Sequence, residues 1–181
     1  IVPALDTHLI NSLGLRNDIV RVPIYQYGCV GGAAGLSLAS SLAQTGKRVL
    51  VLSVELCSLG FQSGDHRGSS LVGSAIFADG AACAVIAPPA RDEPTRGELK
   101  FLGSQSFVVP NSTHLMGYDI MDGGTHLRLD RELPSALAAQ APSRVQQFLE
   151  THGLCADDIA WWLFHPGGVK VLQSLEETFG L

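Results

Sequence analysis

Hydrophobic positions along this chain fall in short dense runs separated by small or polar residues, and the runs change period from one to the next. The stretch VRVPIYQYG that follows Ile19 is β-branched and aromatic and ends at Gly28, which predicts a strand. Cys29 to Gln44 (CVGGAAGLSLASSLAQ) predicts a helix, stopped by Thr45-Gly46 and followed by the basic pair Lys47-Arg48. This helix has no charged face, and a helix that is apolar all round is normally buried on every side. Its first turns hold Gly31, Gly32, Ala33, Ala34 and Gly35, small enough for other backbones to approach closely. Val49 to Glu55 predicts a second buried strand, Ser63 to Ser70 a polar loop, Ser70 to Phe77 a short helix, and Gly80 to Ala87 another strand.

Pro88 to Gly97 (PPARDEPTRG) reads as a linker or as a hairpin loop at one edge. Leu99 to Val109 and His126 to Leu129 predict strands flanking an irregular, Gly-rich stretch around Gly117, Gly123 and Gly124. Pro134 to His152 predicts an amphipathic helix ending at Gly153, Ile159 to Phe164 (IAWWLF) a buried strand, and Val169 to Phe179 a final helix. Strands alternating with helices indicate an α/β fold. The uncharged helix calls for layers of sheet on both of its sides.

Composition narrows the class of protein. Of the 181 residues, 46% are hydrophobic and 16% charged, with a net charge of −5. The densest apolar run, VLVLSV from Val49 to Val54, is far too short to cross a bilayer. The first ten residues carry no basic stretch leading into an apolar one, as a secretion signal would. No Lys/Arg cluster exceeds two neighbours, so the electrostatic footprint of a nucleic-acid binder is absent. The four cysteines are widely spaced, with no CxxC and no metal-ligand pairing with histidine. A cytoplasmic protein with reduced thiols is expected.

Three segments carry candidate chemistry. Cys29 lies where a strand is expected to turn into a helix, among unpaired N–H groups and the positive end of the helix dipole. Such a place favours thiolate, but a cysteine there can equally be a small hydrophobe in a tight turn. His165-Pro166-Gly167-Gly168 follows the strand IAWWLF; its proline suits a first helical turn and its glycines allow close approach beside the imidazole. That histidine is either catalytic or a hydrogen-bonded structural cap. Both residues would lie at strand-to-helix junctions, where α/β folds place their ligand sites. In Ile76-Phe77-Ala78-Asp79-Gly80 the Asp-Gly pair is a turn signal, and Phe77 is core or site.

With these residues placed, the chain resembles the type III polyketide synthases, the chalcone-synthase-like branch of the thiolase superfamily. The resemblance runs over nearly the whole chain, through ALDTHLINSLGLRNDIVRVPI, GCVGGAAGLSLA, VLVLSVELCSLGFQ, SLVGSAIFADGAACAVI and LFHPGGVKVL in that order. Ketoacyl-carrier-protein synthases of the same superfamily typically carry His-Gln-Ala-Asn where this chain has His165-Pro166-Gly167-Gly168. The resemblance implies a layered α-β-α-β-α fold with a buried central helix. It implies that Cys29 takes a starter acyl group from coenzyme A, and that His165 keeps this cysteine as thiolate and assists decarboxylation of malonyl-CoA. Phe77 would be the aromatic gatekeeper. Cys57, Gly60, Tyr118 and Leu127 would line the substrate cavity. No metal, flavin or nicotinamide cofactor is implied, and a homodimer is. ELCSLGFQ is closer to bacterial members that make alkylpyrones, alkylresorcinols or related phenolics.

The same comparison sets expectations of incompleteness. The family's catalytic asparagine, which follows the histidine motif, has no counterpart, since Asn11, Asn17 and Asn111 all precede it. The chain is about half the family's length. Residues from about 1 to 90 correspond to the end of an N-terminal half, and those from about 91 to 181 to the start of a C-terminal half. A fragment of this kind would leave the central helix partly uncovered. The rival readings are a carrier-protein-dependent ketoacyl synthase and a non-catalytic partner subunit of the same fold.

Overall fold

The computed structural model describes residues 4–88 and 99–181. The chain forms two compact units, Ile1–Val54 with Ala81–Glu98 and Glu55–Gly80 with Leu99–Leu181.

The first unit opens with a helix that the hydrophobic pattern did not announce, α1 (Leu5–Ser12). It carries Asp6 in its first turn, where negative charge suits the helix dipole. Arg21 donates to both oxygens of that carboxylate, at 2.6 and 2.9 Å. Residues 19–27 run extended, but among the described residues they join no sheet. Pro23 withholds one N–H from any ladder, and Gln26 adopts φ +64, a left-handed turn that no strand interior accommodates. The segment is held instead by side-chain packing: Ile24 reaches the helix that follows, 4.0 Å from where a Cβ on Gly35 would stand.

That helix, α2 (Gly31–Ala43), is entered through a 3-10 turn, Gly28–Val30. It buries Gly35, Ala39 and Ala43, spaced four apart on one stripe. The stripe packs on β1 (Val49–Glu55), whose Val51 comes within 3.3 Å of a Cβ placed on Gly35. Leu36 and Leu38, off that stripe, remain exposed. The uncharged helix is therefore covered along one side rather than on every side. β1 pairs with β2 (Gly80–Ile86) in a two-stranded sheet.

In the second unit α3 (Gly68–Ile76) packs on a hairpin, β3 (Met116–Met121) and β4 (Gly124–Leu129). The strands pair antiparallel from Met116↔Leu129 to Met121↔Gly124, leaving Asp122-Gly123 as a two-residue turn. Asp-Gly is a strong signal for such a turn, so the stretch expected to be irregular around Gly117 is a regular strand. Gly117 lies opposite Arg128, and a Cβ there would stand 2.8 Å from Nη2 of that arginine. The glycine makes room for Arg128 to cross the strand and donate to Asp119 at 2.7 Å.

Two further helices pack together, α4 (Leu133–Thr151) and α5 (Val169–Phe179). Neither Leu99–Val109 nor Ile159–Phe164 forms a strand among the described residues. The second nonetheless keeps the period of two of an extended chain. Trp162 and Phe164 join Phe179 of α5 in a ring cluster with centroids 5.2 to 6.0 Å apart, while Trp161 and Leu163 are 85% and 93% exposed. Such a segment has strand chemistry without a strand neighbour. The expected linker at 88–97 lies, apart from Pro88, outside the described residues.

Candidate active site

Cys29 sits in the middle of the 3-10 turn Gly28–Val30, which runs straight into the first turn of α2. Its thiol is exposed and forms no disulfide. The local geometry depends on two left-handed residues on either side of Tyr27, Gln26 at φ +64 and Gly28 at φ +53. Gly28 takes that conformation at no steric cost, whereas Gln26 carries the strain of a side chain there. An extended, unpaired segment followed by these two left-handed residues leads the chain into the helix with the cysteine at the corner.

The other expected site residues all belong to the second unit. His165 is exposed, and its carbonyl accepts from the N–H of Gly167 at 2.8 Å. Each glycine of this motif has its own reason. A Cβ on Gly167 would stand 3.3 Å from Cδ2 of the imidazole, and Gly168 has φ +129 as it caps α5. The first keeps space beside the ring, and the second allows a backbone turn closed to other residues.

Phe77 ends α3, with its N–H bonded to Gly73 O at 2.8 Å and its ring half-buried. Leu127 of β4 is buried, 8% exposed, and its cross-strand partner is Tyr118, 59% exposed. Gly73 joins the two elements: a Cβ there would lie 2.5 Å from Leu127 Cδ2 and 3.7 Å from Phe77 Cε2. Phe77, Leu127 and Tyr118 are thus brought into one neighbourhood. Cys57, partly buried, and the exposed Gly60 bound a 3-10 turn, Cys57–Gly60. That turn is fastened to the chain just after Phe77. Ser58 donates its N–H and its hydroxyl to the two oxygens of Asp79, each at 2.7 Å. These two donors, the backbone one first, hold the Asp79 carboxyl below the ordinary carboxylate range.

One polar cluster escaped the reading of the residues. Asp65, whose side chain is 4% exposed, accepts from Arg67 at 2.7 Å and faces His126 Nδ1 at 2.7 Å. Arg67 first and His126 second hold its carboxyl far below the usual range. An ionised carboxylate only accepts, so His126 donates from Nδ1. This pair joins the loop before α3 to β4 across 61 residues of sequence. The only local signal was the Asp-x-Arg spacing. Among the described residues no group of three His, Cys, Asp or Glu side chains is disposed to hold a metal ion. No helix among them is long and apolar enough to cross a membrane.

Comparison with known proteins finds similarity along nearly all of the chain. Residues 1–89 match the model of the N-terminal domain of chalcone and stilbene synthases, and residues 99–181 match that of their C-terminal domain. The chain is 36% identical to the 1,3,6,8-tetrahydroxynaphthalene synthase of Streptomyces peucetius subsp. caesius, over 99% of this chain and 48% of that protein. It is 32% identical to the phloroglucinol synthase of Pseudomonas fluorescens, over 96% of this chain and 49% of that protein. Among solved structures, PKS-I from the brown alga Ectocarpus siliculosus superposes with a TM-score of 0.93 at 29% identity, over 100% of this chain and 48% of that one. The chain thus spans about half the length of the curated relatives it matches.

Proposed function

We propose that this chain, which belongs to the chalcone and stilbene synthase family of type III polyketide synthases and has their thiolase-like α/β fold, is the acyl-loading part of a decarboxylative condensing enzyme. The activity is assigned to the full-length protein that carries it. The observation behind the reading is the place of Cys29: an exposed thiol on the turn that leads into α2. The positive end of a helix dipole favours thiolate there.

In this reading the Cys29 thiolate attacks the carbonyl of an acyl-CoA starter, the new C–S bond forms, the old one breaks, and coenzyme A leaves as its thiolate. Malonyl-CoA then loses CO₂, and the electron pair of the broken C–C bond becomes the enolate of acetyl-CoA. We assign His165 the role of donor to the thioester oxygen on which that charge develops. The enolate carbon attacks the acyl carbonyl on Cys29, a C–C bond forms, and the thiolate departs. The chain grows by two carbons and cyclises to a pyrone, resorcinol or related phenolic product. Phe77, with Leu127, Tyr118, Cys57 and Gly60, is assigned to the wall that holds the acyl group and keeps water from it. We read the protein further as cytoplasmic and homodimeric, working without metal, flavin or nicotinamide.

The test is to incubate the full-length protein with a panel of acyl-CoA starters and malonyl-CoA, and to follow both protein and products by mass spectrometry. An acyl adduct on Cys29, lost in Cys29→Ala together with all polyketide product, is expected. No adduct with any starter, or an unchanged product profile in Cys29→Ala, overturns the reading. A strict requirement for acyl carrier protein in place of free malonyl-CoA would assign the chain to the carrier-dependent synthases.

A further inference from the structure

Ser69, Gly73 and Phe77 stand four residues apart along α3 and its C-cap, and so form one stripe on the helix. Every member of that stripe is engaged around the same residue of β4. Ser69 donates its hydroxyl to the carbonyl of Leu127 at 2.9 Å. Gly73, buried on the helix, leaves the space into which Leu127 Cδ2 projects, and the Phe77 ring closes the same space from the next turn. A helix interior is a costly place for glycine, which loses about 0.5–1 kcal/mol there relative to alanine. Here the missing methyl is occupied by a neighbour's methyl.

We infer that Gly73 is a specificity-determining residue that acts through Leu127. By receiving the leucine methyl on the α3 side, it holds that side chain against the helix beside Phe77 and so sets the room left for an acyl chain. A Cβ at position 73, 2.5 Å from Leu127 Cδ2, cannot coexist with the present leucine position. The backbone of Leu127 is pinned by Ser69 on one side and by its pairing with Tyr118 on the other. The side chain is the part free to move, and α3 closes the direction it comes from. Gly73 touches no substrate in this scheme; it positions a residue that does. The inference rests on the proposed function, because the acyl chain is what the space is for.

The experiment uses the full-length protein and compares Cys29 loading and product length for a short starter, acetyl-CoA, and a long one, dodecanoyl-CoA. Gly73→Ala is expected to keep acetyl loading and to lower kcat/KM for the long starter by about tenfold or more, the scale of one misplaced methylene in a hydrophobic pocket. Gly73→Ala/Leu127→Ala, which removes the methyl that clashes, is expected to restore the long starter. Leu127→Ala alone is expected to admit it at least as well as the parent. Equal loss of both starters in Gly73→Ala, without rescue by the double variant, overturns the inference, and so does a parental ratio of the two starters in Gly73→Ala. Should Gly73→Ala fail to fold, Leu127→Ala decides: a reduced preference for the long starter in that variant overturns the inference. Absence of any Cys29 adduct in the parent protein counts against the proposed function itself, and is read before any variant.

Discussion

The carboxylate of Asp65 answers to two bases from different parts of the chain, Arg67 beside it and His126 on β4. Because its folded pKa is depressed below the ordinary carboxylate value, its contribution to stability is fully present above that ordinary value and is lost as pH falls through the folded value. The melting temperature of the parent should therefore decline on acidification below pH about 4, where the unfolded chain takes up a proton that the paired carboxylate in the folded protein does not. Asp65→Asn should melt lower than the parent at pH 7 and lose less on acidification, so that the two curves converge. Thermal unfolding followed by circular dichroism between pH 2.5 and 7 checks this. Parallel curves at all pH values would remove Asp65 from the account. Arg67 was readable as a partner because it lies two residues away. His126 was not, because 61 residues separate it from the carboxylate and only the packing of α3 on the hairpin brings them together.

At the level of elements, contacts are set as much by missing side chains as by present ones. α2 lies on β1 through Gly35, where Val51 Cγ1 is already within 3.3 Å of a prospective Cβ. Gly35→Val should overpack this contact and cost about 1–3 kcal/mol, while Gly46→Val, whose Cβ would meet nothing within 4 Å but whose φ is +82, should be destabilised only through its backbone. Denaturant titration of both variants distinguishes the two causes; equal costs relieved by Val51→Ala in neither would refute the packing role. Helices and strands with a strong period, α2, β1, β2, α4 and α5, were legible in the residues. The segments 19–27 and 159–164 carry β-branched and aromatic residues and run extended, yet pair with nothing among the described residues. Composition specifies an extended backbone; a ladder also requires a neighbour. β3 escaped for the opposite reason, since Gly117 and the Asp-Gly turn suggested irregularity where Gly117 only clears a path for Arg128. The candidate site is legible as motifs around Cys29 and His165, and illegible where it depends on contacts such as Ser58 with Asp79 or Gly73 with Leu127.

The whole molecule exposes large apolar side chains, with Trp161 and Leu163 almost fully in solvent on a segment whose other face is the ring cluster. Contiguous exposed apolar surface promotes association. The 181-residue chain on its own is therefore expected to self-associate at micromolar concentration, and Trp161→Ser/Leu163→Ser to reduce that association without loss of helix signal. Light scattering with circular dichroism measures both. Unchanged scattering in the double variant would place the sticky surface elsewhere.

The second unit is also assembled out of order in sequence: Glu55–Gly80 belongs to it, although β1 before and β2 after lie mainly in the first. Ser69 and the carbonyl it bonds are 58 residues apart. At the usual pace of synthesis, about 5–20 residues per second, roughly 3–12 s pass between the two leaving the ribosome. For that interval α3 exists as sequence without the leucine that fills its notch at Gly73. A contact that tunes the finished protein is thus also a delay during its making.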